Sequence, residues 1–66
     1  MGILTVDDVK LRALYKRAWA ESGHGFVNPR SYPYLDKAIS VYALEHRCSY
    51  DAALIFAKTG KKVWER

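Results

Sequence analysis

A thiol and two imidazoles, Cys48, His46 and His24, are the side chains in this sequence best equipped for chemistry. Such groups serve elsewhere as nucleophile, general base and metal ligand. A nucleophilic pair needs its base within hydrogen-bond reach. His46 and Cys48 stand two positions apart, and residues at that spacing on a helix point in different directions. A structural zinc site takes about four ligands at recognisable spacings, and these three residues offer neither the number nor the pattern. The glycines of Gly23-His24-Gly25 lack the following glycine and lysine of a phosphate-binding loop, and the next helical pattern begins well after them. The sequence therefore reads Cys48 as a small apolar residue at a helix junction, His46 as an interfacial core residue and His24 as an exposed loop residue. A catalytic constellation would also need a concavity for substrate, for which a chain of 66 residues has little room. The expectation is a protein that binds rather than catalyses, with no cofactor and no metal.

The elements that position these residues follow from apolar periodicity. Thr5 as N-cap, with Asp7 and Asp8 beside the positive helix end, predicts a first helix over about 5–22. Leu11, Leu14, Tyr15, Ala18 and Trp19 form its apolar stripe. Lys10, Arg12, Lys16 and Arg17 share the outer face, interleaved with Val9, Ala13 and Ala20. Gly23 supplies the stop. A long loop with two further punctuating prolines, Pro29 and Pro33, and three aromatics, Phe26, Tyr32 and Tyr34, then runs to residue 34. These aromatics either fold back over a small core or, with Arg30, form a binding edge.

The second helix is predicted over 33–46, with Pro33 in its first turn. Leu35, Ala38, Ile39, Tyr42 and His46 lie along one face. Val41 and Leu44 fall outside that stripe, so the helix is either covered on two sides or partly buried in an interface. Ser49 caps a third helix over about 49–64, whose aligned residues are Tyr50, Ala53, Leu54, Ala57 and Trp64. Gly60 either ends it early or sits inside it. The fold expected is an all-α, compact three-helix domain, a single unit over 1–66, with the long Gly/Pro/aromatic loop between helices 1 and 2.

Composition bounds the rest. Half of the residues are hydrophobic and nine are aromatic (two Trp, five Tyr, two Phe), which suits a packed globule. A core of this size sits near the lower limit of independent stability. The single cysteine fits a reducing compartment, and no apolar run approaches the roughly 20 residues that span a bilayer. Residues 1–5 read as neither a signal peptide nor a transit sequence, and Val6 stands where a myristoylation motif expects a hydroxyl. The expected location is cytoplasmic, with no membrane partner.

Two binding surfaces compete. The first is a protein-interaction surface built from Phe26, Arg30, Tyr32, Tyr34, Val41, Leu44 and Ile55, through which the domain docks on and modulates a larger protein as inhibitor or adaptor; a second copy could cover the same surplus apolar area as a homodimer. The alternative is nucleic acid, favoured by a formal charge of +4. Its residues would be Lys10, Arg12, Lys16 and Arg17 on the first helix and Lys58, Lys62 and Arg66 on or after the third. In its sequence-reading form, helices 2 and 3 make a helix-turn-helix across Arg47-Cys48-Ser49. That turn lacks the common glycine, and the reading helix opens Tyr50-Asp51-Ala52-Ala53, which brings a carboxylate towards phosphate and few long polar side chains towards base edges.

The C-terminal half, through Tyr42, Glu45-His46-Arg47 and Val63-Trp64, loosely resembles the Hha/YmoA-type modulators of nucleoid proteins. That resemblance implies a small helical protein that binds a DNA-organising partner, and so favours protein binding. It covers scattered positions and the Gly/Pro loop departs from the family pattern, so no membership is assigned on it.

Overall fold

The computed structural model describes residues 6–65. It is an all-α, three-helix domain: α1 spans Asp8–Glu21, α2 Pro33–His46 and α3 Tyr50–Thr59, with a short 3-10 turn at Pro29–Ser31 before α2. Each helix packs against the other two, and the 3-10 turn lies on α2. No strand occurs among the described residues.

The bounds of α2 are those its pattern predicts, while α1 and α3 are shorter than expected. Thr5, predicted as the first N-cap, lies outside the described residues. The cap is Asp7, whose side chain accepts from the Lys10 amide at 2.7 Å. Aspartate satisfies an orphan donor of the first turn and adds negative charge at the positive helix end, so it outperforms an upstream threonine. At the other end of α1, the His24 amide donates to the Trp19 carbonyl and the Gly23 amide to the Ala20 carbonyl. This pair of bonds is a Schellman closure, and it demands a left-handed residue at Gly23, where φ is +87°.

The third helix does not run to residue 64. Gly60 adopts φ +84°, its amide donates to Phe56 at 2.7 Å, and the chain turns away. Val63 and Trp64 therefore occupy a turn beyond the helix. Trp64 still reaches the core because that turn folds it back edge-on against Tyr42 and Phe56. Ser49 caps α3 as predicted, accepting from the Ala52 amide at 3.0 Å.

Between α2 and α3 no glycine is present, and Arg47 takes the left-handed conformation itself at φ 53°. The Cys48 amide then donates to Ala43 and the Arg47 amide to Leu44, repeating the closure seen after α1.

The core is built around α2, which buries Leu35, Ala38, Ile39, Tyr42 and Ala43. The largest fully buried side chains are Tyr42, Leu11, Leu35 and Ile39. Alanines at 18, 38, 43, 53 and 57 complete the core and let the helices approach closely around these few bulky residues. Val41 is half-buried and packed on that core, which accounts for part of the surplus girth of α2. Leu44 is not covered and stays 80% exposed.

The loop caps the core with residues other than those its composition singles out. Val27 and Pro29 are the buried ones, whereas Phe26 is 82% exposed. Tyr32 and Tyr34 are half-buried against the core. Trp19, expected in the core stripe of α1, sits at the edge of that stripe and is 39% exposed beside His24, with ring centroids 4.4 Å apart.

Candidate functional site

The groups with most chemical potential are each engaged by neighbours. His46 stacks on Tyr42 at 3.8 Å and its Nδ1 lies 3.0 Å from the Tyr42 carbonyl, while His24 lies on Trp19. Burial pushes the Cys48 thiol above its usual value, which keeps it protonated at neutral pH. No group of three or more His, Cys, Asp and Glu capable of holding a metal ion occurs among the described residues. No helix among them is long and apolar enough to cross a membrane.

The larger opening is a groove of about 780 Å³ on the flank of α1. Val9, Arg12, Ala13, Lys16 and Trp19, related by three- and four-residue spacings such as 9/12, 9/13, 12/16 and 16/19, share one wall. Tyr15 of the same helix, the loop segment Gly25-Phe26-Val27 and the end of α3, at Ala57 and Lys58, provide the rest. Its lining is mostly apolar and carries Trp19 and Phe26; Val9, 79% exposed, extends it towards the start of the helix. Arg12, Lys16 and Lys58 stand around it, and none of its described lining residues is acidic.

The basic face of α1 is thereby divided. Lys10 and Arg17 are not part of the groove. Arg17 pairs with Glu21 at 3.4 Å and lies over the Tyr34 ring at 4.9 Å, and the Tyr34 hydroxyl donates to Glu21 at 2.9 Å. Lys62 pairs with Asp8 at 2.8 Å. Among the described residues, Arg12, Lys16 and Lys58 make no such pair. The Arg12 guanidinium instead covers Gly60 at the end of α3, where the negative end of the helix dipole favours a cation.

The residues expected to bind are thus regrouped. Phe26, taken from the protein-binding set, meets Arg12, Lys16 and Lys58 from the nucleic-acid set in one groove. Arg30, Tyr32, Tyr34, Val41, Leu44 and Ile55 are not in its lining; Tyr32 and Tyr34 pack on the core and edge-to-face with one another, while Ile55 is 40% exposed on α3. Arg66 lies outside the described residues. Trp19, Val9 and Ala13 were missing from the expected set. The signal for them is in the sequence: apolar residues interleaved with Arg12 and Lys16 at helical spacing, on a face that would need only polar residues if it met water alone.

A second, smaller recess is lined by Val6, Asp7, Asp8, Val9, Glu45 and His46, at the start of α1. Asp8 is committed there, because the Lys62 ammonium and the Tyr42 hydroxyl both donate to it. Those two bonds hold its carboxyl below the usual carboxylate value.

No protein-family model matches the chain, and neither curated proteins nor solved structures give a match.

Proposed function

We propose that this domain is a non-enzymatic, cytoplasmic interaction module that modulates a larger protein by docking on it. The observation that supports this reading is the α1 groove, where Trp19 and Phe26 are open to solvent next to three cations that lack acidic partners among the described residues. An exposed tryptophan and phenylalanine beside arginine are the residue types that carry binding energy where proteins meet. A surface that only met water would gain nothing from apolar side chains at Val9, Trp19 and Phe26. Leu44 and Ile55, outside the groove, offer further apolar contact to a partner or to a second copy.

The alternative, a DNA-binding helix-turn-helix on α2 and α3, has less support. Exposed positions on α3 are Asp51, Ile55, Lys58 and Thr59, a set with one carboxylate and one cation. Lys62, counted among its phosphate contacts, is engaged by Asp8.

The test is a tagged capture from lysate, with and without nuclease, using the wild-type chain and Phe26→Asp in parallel. A stoichiometric protein that survives nuclease and is lost with Phe26→Asp supports the docking reading. Capture that Phe26→Asp leaves unchanged, or that nuclease abolishes, overturns it. Phe26 contributes no buried contact, so the variant keeps its fold.

A further inference from the structure

Resting on the docking reading above, we infer that the groove along α1 takes an acidic amphipathic helix of the partner protein. The shape of the groove sets the kind of segment. Val9 and Trp19 mark its extent along α1 and stand ten positions apart, which corresponds to about 15 Å, or nearly three turns of helix. The described residues contain no strand, so backbone pairing at a sheet edge is not available to an extended peptide. A helix laid across the floor would present apolar side chains at one-turn intervals to Trp19 and Phe26.

Charge sets the composition of that helix. Two cations of this surface are answered from within the chain, Arg17 by Glu21 and Lys62 by Asp8. Around the groove Arg12, Lys16 and Lys58 have no such answer among the described residues, and no carboxylate lines the floor. A partner with Asp or Glu flanking its apolar stripe would complete these three charges at the rim, where complementarity governs association rate and choice of partner. Val9, Ala13, Val27 and Ala57 offer apolar side chains an aliphatic surface; Tyr15, Trp19 and Phe26 are rings of the kind on which bases stack, and the oligonucleotide arm of the test addresses that occupant.

The inference is tested by selecting a random peptide display library on the immobilised full chain, with a single-stranded oligonucleotide pool selected in parallel. Enriched peptides are expected to carry apolar residues at one-turn spacing flanked by Asp and Glu. Their binding is expected to weaken on the order of tenfold or more in Lys16→Glu/Lys58→Glu, and with added salt. Selection on that variant, its fold checked by circular dichroism, should shift the flanking residues to Lys and Arg. Arg12 is left in place because it packs on Gly60. Neutral or basic peptides selected on the wild-type chain, absence of enrichment over Phe26→Asp, or groove-dependent oligonucleotide binding tighter than that of the peptides would each overturn the inference. If lysate capture depends on Phe26 but the selected peptides are not acidic, the docking reading stands and this inference alone fails.

Discussion

The hydroxyl of Tyr42 donates to Oδ1 of Asp8 at 2.8 Å, across 34 positions of sequence. Asp8 opens α1, Tyr42 is fully buried in the middle of α2, and the other oxygen of the same carboxylate accepts from Lys62 at 2.8 Å. One acidic side chain thus joins the first helix, the central helix and the segment after the last.

The joint should respond to acid. Its two donors hold the Asp8 carboxyl below the ordinary value of 3.8, so the folded state favours the ionised form. The resulting stability is present above that pH and is lost as pH falls through the lowered folded value. Because the side chain is 43% exposed, solvent screening limits the contribution to about 1 kcal/mol or less. Urea midpoints of the wild-type chain and Asp8→Ala should differ at pH 7 and converge at about pH 2; a gap unchanged across that range would deny the carboxylate this role.

At the other extreme, Tyr42 and Tyr50 are held neutral, chiefly by burial and then by hydrogen bonds to Asp8 and Asp36. Tyr50 is pushed up to about 12. A tyrosine whose folded value is raised protects the fold up to the free value of 10.0, and stability falls as pH climbs from there towards the folded value. Ultraviolet titration of tyrosinate should show these two ionising late, or together with loss of helical signal. Full ionisation of all five tyrosines near the free value, with the helices intact, would contradict the burial described.

Arg47 occupies the left-handed region at φ 53°, which costs a residue with a Cβ roughly 1–2 kcal/mol. Glycine removes that cost and gives back part of it as unfolded-chain entropy. Arg47→Gly should stabilise the domain by about 0.5–1 kcal/mol, a rise of roughly 2–8 °C in Tm. A lowered Tm would mean that the arginine side chain contributes more than its backbone costs.

Gly60 presents the reverse case. A Cβ there would be strained by φ +84° and would lie 2.7 Å from Nη1 of Arg12. The guanidinium can swing aside, so backbone conformation dominates the loss. Gly60→Ala should destabilise by about 1–2 kcal/mol, and a double-mutant cycle with Arg12→Ala should recover only a small part of it. Recovery of most of the loss would assign the cost to the side-chain clash instead.

Val41 and Leu44 lie on the same helix and should behave differently. Val41 packs on the core while Leu44 is 80% exposed. Val41→Asp buries a charge and should cost about 2 kcal/mol or more. Leu44→Asp should leave Tm within the equivalent of about 0.5 kcal/mol. Thermal melts of the two variants decide, and only Leu44→Asp is then fit to probe partner binding on α2.

Much of the fold was legible because its signals are local. The stripe through Leu35, Ile39 and Tyr42 and the proline in the first turn mark α2 from about Pro33 to about His46, in agreement with the helix observed. Ends were less legible where two residues compete for one role. Thr5 and Asp7 are both good caps, and Gly60 is compatible with a helix interior at modest cost until its left-handed conformation is known. Trp64 matched the helical register by coincidence: a turn returns it to the place that a longer helix would have given it. The groove was not legible as a unit. Phe26, Lys16 and Lys58 come from three separate segments, and their meeting depends on how α1 and α3 pack. What the sequence did carry was the anomaly of Val9 and Ala13 on a basic face.

The aromatic turn after α3 also has a consequence for biosynthesis. Trp64 lies against Tyr42, Phe56 and His46, and Lys62 secures Asp8. On the ribosome, α1 and α2 emerge first but cannot close this cluster until the residues around Trp64 have left the exit tunnel. Until then the nascent chain lacks the ring that packs on Tyr42 and Phe56, and its fold is expected to complete late. A chain ending at Gly60 should accordingly lack a cooperative thermal transition, as though translation had stopped just short of the latch.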